Sequence, residues 1–261
     1  MFEKRCVALT LAIAMLSTQT QAAMMTPPPA ASTSWQYGAT LYLWGAAISG
    51  TTANGNDFDV PFKTILKHLD MGFMCAFEAR YDRWSLLADV MYLKVSADRS
   101  RTATLSILNQ TVDIDIDTNV KMKSWIVTPG IGYRLIDRQE GNFDIIAGGR
   151  YLSIKPTINI VTTGPFATRS IGIAGSGEVW DGIGGIKGRI NLTENWYLPY
   201  LADIGAGDSK LTREALGGIA YHFSCADLML AYRYLDWRFH SNVLLDKLNL
   251  SGPILGARFV F

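Results

Sequence analysis

A two-residue rhythm constrains this chain more than any other feature of it. From Trp35 to Phe261 the residues fall into segments of alternating apolar and polar side chains, separated by turns, and that period belongs to β-strands with two unlike faces. In residues 248–261, Pro253, Leu255, Ala257 and Phe259 are apolar, while Gly256, Arg258 and small or polar groups stand between them. In residues 84–95, Trp84, Leu86, Ala88, Val90 and Tyr92 form one face, and Ser85 and Asp89 lie on the other. Such strands suit a soluble sandwich with apolar faces turned inward, or a closed membrane barrel with apolar faces turned out to lipid.

The aromatic residues favour the barrel. Trp84 and Tyr92 share one face, and at ~3.3 Å per residue with a ~40° tilt their separation is about 20 Å, close to that of the two aromatic girdles of a membrane barrel. Trp125 with Tyr133 and Phe143 with Tyr151 repeat the spacing, and Trp180 shares a face with Ile186 and Ile190. Trp84, Tyr92, Trp125, Tyr133 and Tyr151 are therefore expected at the membrane interfaces. The closing Phe259 and Phe261 resemble the C-terminal signal by which the barrel-assembly machinery of Gram-negative bacteria recognises its substrates.

The start of the chain agrees. Residues 1–22 carry Lys4 and Arg5, an apolar run over residues 6–16 and a small-residue end at Thr20-Gln21-Ala22, the composition of a cleaved secretory signal peptide. No later stretch reaches the roughly 18 apolar residues of a transmembrane helix. Residues 23–34, rich in Pro, Ser and Thr, read as a flexible lead-in, and residues 35–261 as the barrel. The 24 Lys and Arg against 23 Asp and Glu become balanced once Glu3, Lys4 and Arg5 leave with the leader, so no charge excess points to nucleic acid. Cys6 leaves too, and Cys75 and Cys225, on distant segments, are expected unpaired.

The expected fold is all-β: a transmembrane, antiparallel, up-and-down β-barrel of about ten strands, with eight or twelve as alternatives. The strands read as residues 35–48, 71–81, 84–95, 121–136, 143–154, 178–192, 196–206, 211–223, 228–239 and 248–261. Tight turns follow the even-numbered strands and longer connections the odd-numbered ones, which is the division between short periplasmic turns and long outer loops. Residues 49–59 read as a polar loop, and residues 60–69, with Val60, Phe62, Ile65, Leu66 and Leu69 at helical spacing, as a short amphipathic helix. Residues 101–108 and 111–117 alternate around Asn109-Gln110, so the third and fourth strands form one long hairpin. Its expected register sets Ile107 against Val112 and Asp89 against Gly130, and its apolar face is expected to fold over the barrel mouth onto the helix. Asp113, Asp115 and Asp117 on its outward side are candidates for divalent cations shared with lipopolysaccharide phosphates, since hard oxygen ligands suit such ions.

Opposite the apolar faces stand Glu78, Arg80, Asp89, Arg134, Asp144, Arg150, Asp181, Lys187, Arg189, Asp203, His222, Arg233 and Arg258. Buried charges are costly unless paired, and mixed signs facing a narrow lumen point to a network of ion pairs that fills it. Catalytic motifs are weaker. The glycines of residues 182–188 fit neither a dinucleotide nor a phosphate fingerprint. The three histidines, His68, His222 and His240, have no metal-ligand spacing, and no cofactor is expected. His240-Ser241 near Asp236 can be drawn as a hydrolytic set at the outer rim, with no visible oxyanion element.

Taken together, Phe77-Glu78-Ala79-Arg80-Tyr81 with Arg83-Trp84, Gly149-Arg150-Tyr151, Val179-Trp180-Asp181, Ala202-Asp203-Ile204-Gly205, Ala231-Tyr232-Arg233-Tyr234 and Ser251-Gly252-Pro253 with Phe261 resemble a family of proteobacterial outer-membrane barrels akin to the small OmpA- and OmpW-type barrels. The resemblance implies fold and location, and carries over no catalytic residue. The functional expectation is a monomeric outer-membrane barrel with a structural or surface role and a polar, partly plugged lumen, in contact with outer-membrane lipid and lipopolysaccharide. A narrow porin-like channel is the alternative, followed by a lipid-modifying or proteolytic enzyme.

Overall fold

The computed structural model describes residues 34–52, 55–107, 110–163, 168–240 and 245–261. The expected signal peptide and all of the lead-in but Ser34 lie outside them. In chain order the elements are β1 (Gln36–Trp44), β2 (Ala47–Thr52), β3 (Asp57–Val60), α1 (Phe62–Lys67), β4 (Leu69–Tyr81), β5 (Trp84–Ile107), β6 (Gln110–Arg138), β7 (Gly141–Thr163), β8 (Thr168–Ala174), β9 (Gly177–Asn191), β10 (Trp196–Gly207), β11 (Leu211–His222), β12 (Asp227–Arg238) and β13 (Leu245–Val260).

Ten of these close a ring of antiparallel pairs, β1-β4-β5-β6-β7-β9-β10-β11-β12-β13 and back to β1. The seam is a seven-rung ladder from Gly38↔Val260 to Trp44↔Ile254, extended at its inner end by mutual backbone bonds between Tyr37 and Phe261, 3.0 and 2.9 Å. Closure matters because an open edge strands backbone donors and acceptors that lipid cannot satisfy. The inner turns are tight where sequence permits. Asp82 takes a left-handed φ of 51°, which aspartate tolerates, so that Tyr81 pairs directly with Trp84. At Gly141 (φ 149°) a Cβ would lie 2.2 Å from the Arg189 carbonyl oxygen.

Several expectations are corrected. The first strand is two: β2 keeps the β13 register of β1 across Gly45-Ala46, with Ala47 opposite Ser251, but the ladder to β4 ends at Leu41↔Cys75. The polar stretch 49–59 is largely strand, since β3 folds back on β2. Not every outer connection is long, because β10 and β11 are joined by residues 208–210 alone. The β5–β6 hairpin lies two residues from its expected register, pairing Leu105 with Val112 and Asp89 with Thr128. A slip of two leaves every side chain on its expected face, so alternation cannot detect it. The hairpin extends the wall as an unbroken ladder from Trp84↔Tyr133 to Ile107↔Gln110; α1 lies beside β2, and the side chains of residues 98–116, on which its expected packing against the hairpin turns, lie outside the described residues.

Strands of 24, 29 and 23 residues in β5, β6 and β7 greatly exceed the roughly 9–11 residues a tilted strand needs to cross a membrane. The strands β10, β11 and β12 have 12 each. With β8 paired to β7, the long strands carry a sheet well beyond the rest of the rim, on the side opposite the tight turns. Barrels of this kind place their larger elaborations outside the cell.

Candidate functional site

The exterior is apolar. Leu43, Leu86, Trp84, Trp125, Trp180, Ile190, Ile204, Leu230, Tyr232 and Leu255 are all exposed. The aromatic residues on it form cross-strand pairs in two groups. Toward the outer end, Tyr92 meets Trp125 with ring centroids 4.5 Å apart, and Tyr151 meets Trp180 at 4.9 Å. Toward the inner end, Trp84 meets Tyr133 and Trp196 meets Tyr221, each at 4.9 Å, while Trp35, Tyr37, Tyr81 and Phe261 stack around the seam.

The lumen is charged over its inner part. Asp144, buried on β7, receives Arg80 and the Arg134 Nε at 2.9 Å. Glu78 on β4 takes Arg80 at 2.6 Å and Lys187 at 2.9 Å, with Arg258 at 3.9 Å. Asp227 at the foot of β12 holds His222 at 2.6 Å and accepts the Tyr197 hydroxyl at 2.7 Å. A cavity of about 540 Å³ runs among these groups.

Above it a tighter layer crosses the barrel. Arg150 on β7, with no solvent exposure, donates to Asp203 at 2.7 Å, Glu214 at 2.5 Å and the Thr212 hydroxyl at 3.1 Å. Arg233 on β12 reaches the other oxygen of Glu214 at 2.8 Å and Asp89 at 2.7 Å. Tyr42 bridges the rim, donating to Asp89 at 2.5 Å and accepting from Arg233 at 3.1 Å. Two arginines and three carboxylates from five strands thus lock one another. The guanidinium of Arg233 also lies 5.1 Å from the Trp44 ring, which forms the ceiling of the layer.

The next storey outward is apolar. Leu235 and Trp237 have no exposure, and Met91, Ile126, Leu152, Phe239 and Leu248 are buried around them. Charged side chains thus occupy the inner and middle storeys, and apolar ones the storey above them. The parity that Leu235, Trp237 and Phe239 share with Arg233 is the sequence signal for this apolar storey.

The individual residues sort as follows. Glu78, Arg80, Asp89, Arg134, Asp144, Arg150, Lys187, Asp203, Arg233 and Arg258 all meet in ion pairs. Asp181 is buried on the same face but accepts the Ser209 backbone N–H and hydroxyl at 2.9 and 2.8 Å. Arg189 lies over the Tyr197 ring, 5.4 Å from its centroid. Sequence reasoning missed Glu214, Tyr42 and Asp227. The parity of His222 points to Glu214, whereas Asp227 falls in the expected turn between residues 223 and 228. Of the hydrolytic set, Asp236 holds Arg213 at 2.9 Å, His240 lies against the Asp208 carbonyl oxygen at 3.0 Å, and Ser241 lies outside the described residues. Asp113 and Asp115 belong to stretches whose side chains are likewise outside the description. Cys75 and Cys225 are free thiols, and no cluster of metal-ligating side chains occurs among the described residues.

A ring of hydrogen-bonded strands, apolar and aromatic outside and charged within, defines a transmembrane β-barrel of the outer-membrane type. No protein-family model and no curated protein sequence matches this chain. Solved structures to which it is similar are Ail, the attachment invasion locus protein of Yersinia pestis, at 13% identity and a TM-score of 0.34, covering 87% of this chain and 98% of that one. The translocator domain of autotransporter NalP from Neisseria meningitidis gives 11% identity and a TM-score of 0.43, over 88% of this chain and 89% of that one. The outer membrane protease OmpT from Escherichia coli gives 8% identity and a TM-score of 0.45, over 88% and 98%. Matches this distant add nothing to the class, which rests on the geometry.

Proposed function

We propose that the protein is a closed outer-membrane barrel with a surface or structural role, whose transmembrane ring anchors the projecting sheet of β5 to β8. The observation that carries this reading is the pairing of a lumen sealed twice, by the Arg150–Glu214–Arg233 layer and by Leu235 and Trp237, with strands roughly twice the length a membrane requires. Export by the leader, recognition of Phe259 and Phe261 by the barrel-assembly machinery, and contact of the sheet with lipopolysaccharide belong to the same proposal. So do a monomeric state, supported by closure within one chain, and kinship with OmpA- and OmpW-type barrels, supported by the motifs quoted above.

Proteoliposomes carrying the protein should not swell in small sugars, and protease added to intact cells should cut within residues 98–117. Rapid swelling, or protection of that segment on intact cells, would overturn the reading. A narrow channel is the second reading, favoured by the 540 Å³ charged cavity of the inner half, and it requires both seals to open. Catalysis is not part of the proposal, because Asp236 and His240 are engaged with Arg213 and Asp208.

A further inference from the structure

The wall is not closed all the way up. Beyond Leu41↔Cys75 the strand β1 parts from β4 and follows β13 into β2, whereas β4 stays with β5 as far as Leu69↔Val95. Had the register continued, Leu43 would face Phe73. Phe73 pairs with Tyr92 and Tyr92 with Trp125, so the gap opens on the rung of the outer aromatic pairs. Unpaired strand edges facing lipid do not occur deep in hydrocarbon, and a gap at this level avoids that.

The helix α1 lies across the gap. It is short and weakly fastened, with Pro61 at its N-cap giving no side-chain bond and Ile65 as its one buried residue. A backbone bond of 2.9 Å from the Ser96 N–H to the His68 carbonyl ties its end to β5. An isolated helix of this length is unstable on its own, so it is held by what it covers.

Behind it is a cavity of about 210 Å³, running from Met91, Ile126 and Leu152 inside the barrel to Leu43 on the lipid face, with Ile65 at the portal. Ser124 is the one polar side chain in a lining otherwise aliphatic, aromatic, methionine or glycine. A cavity of about 150 Å³ with such a lining stays dry and accepts apolar molecules. The open side lies beside the exposed Leu43, on the rung of the outer aromatic pairs.

We propose that this cavity is a binding site for the end of a hydrocarbon chain, which enters sideways from the outer leaflet past α1. Membrane lipid and free fatty acid present the same chemistry, and the test separates them. Trp44 lines the cavity, is 5% exposed and points into the lumen, so lipid surrounding the barrel does not touch it. A full-length variant with Trp44 as sole tryptophan, the others replaced by Phe, is refolded into phosphatidylcholine vesicles. One arm uses lipid with dibrominated chains. The other adds dibromostearate to unbrominated vesicles.

Quenching of Trp44 beyond that seen in a filled variant is expected in at least one arm, and the arm that responds names the source. Gly72→Phe should abolish it, because a Cβ at Gly72 meets only the Leu69 and Leu93 side chains, at 3.7 to 4.0 Å, and the ring then fills the cavity. Ser124→Leu serves as a second filler should Gly72→Phe fail to refold, with folding judged by heat-modifiable migration. Absence of quenching in both arms, or quenching unchanged in a folded filled variant, overturns the proposal.

Discussion

Arg150 ties β7 to β10 and β11 across the lumen. Two carboxylates and a hydroxyl depend on its one guanidinium, and removing one partner of a buried pair leaves the others uncompensated, at about 3–5 kcal/mol. Arg150→Ala is therefore expected to lower the unfolding free energy of vesicle-inserted protein by that amount in a denaturant titration, and an unchanged midpoint would mean the layer is solvated. Trp237→Ala removes an aromatic with no exposure and is expected to cost about 3–5 kcal/mol through the cavity it leaves. At this scale sequence reached most of the charged partners, because a period of two assigns faces without knowledge of neighbours. It did not reach who pairs with whom. Glu214 next to Arg213 offered a charge to either face, and Tyr42 becomes a polar contact only where Asp89 and Arg233 converge.

The extension of β5 and β6 behaves as an appendage to the ring. Deleting residues 98–117 joins Ala97 to Thr118 and leaves Thr118-Asn119 as a two-residue turn above the Ala97↔Val120 pair. The shortened protein is expected to refold with its unfolding free energy changed by less than about 0.5 kcal/mol, as for surface changes, and to lose the outer cleavage site on cells. A large loss of stability would show that the extension belongs to the core. Elements inside the membrane were the legible ones: all ten ring strands follow from alternation between tight turns, since lipid on one side and charge on the other force a clean pattern. Outside the membrane that force is absent, so β2, β3, β8 and the upper length of β7 went unread. The break between β1 and β4 left no trace either, because Leu43 and Trp44 continue the alternation across it.

For the whole molecule the question is whether anything passes through it. The charged layer and the apolar storey lie in series, one at Arg150 and Arg233 and the next at Leu235 and Trp237, so loss of either alone leaves the other in place. Single-channel recording in planar bilayers decides the matter most directly. The wild-type protein, Arg150→Ala and Trp237→Ala are each expected to be silent, and the combined variant to show steady conductance. Porin-like steps from the wild-type protein would contradict a sealed lumen.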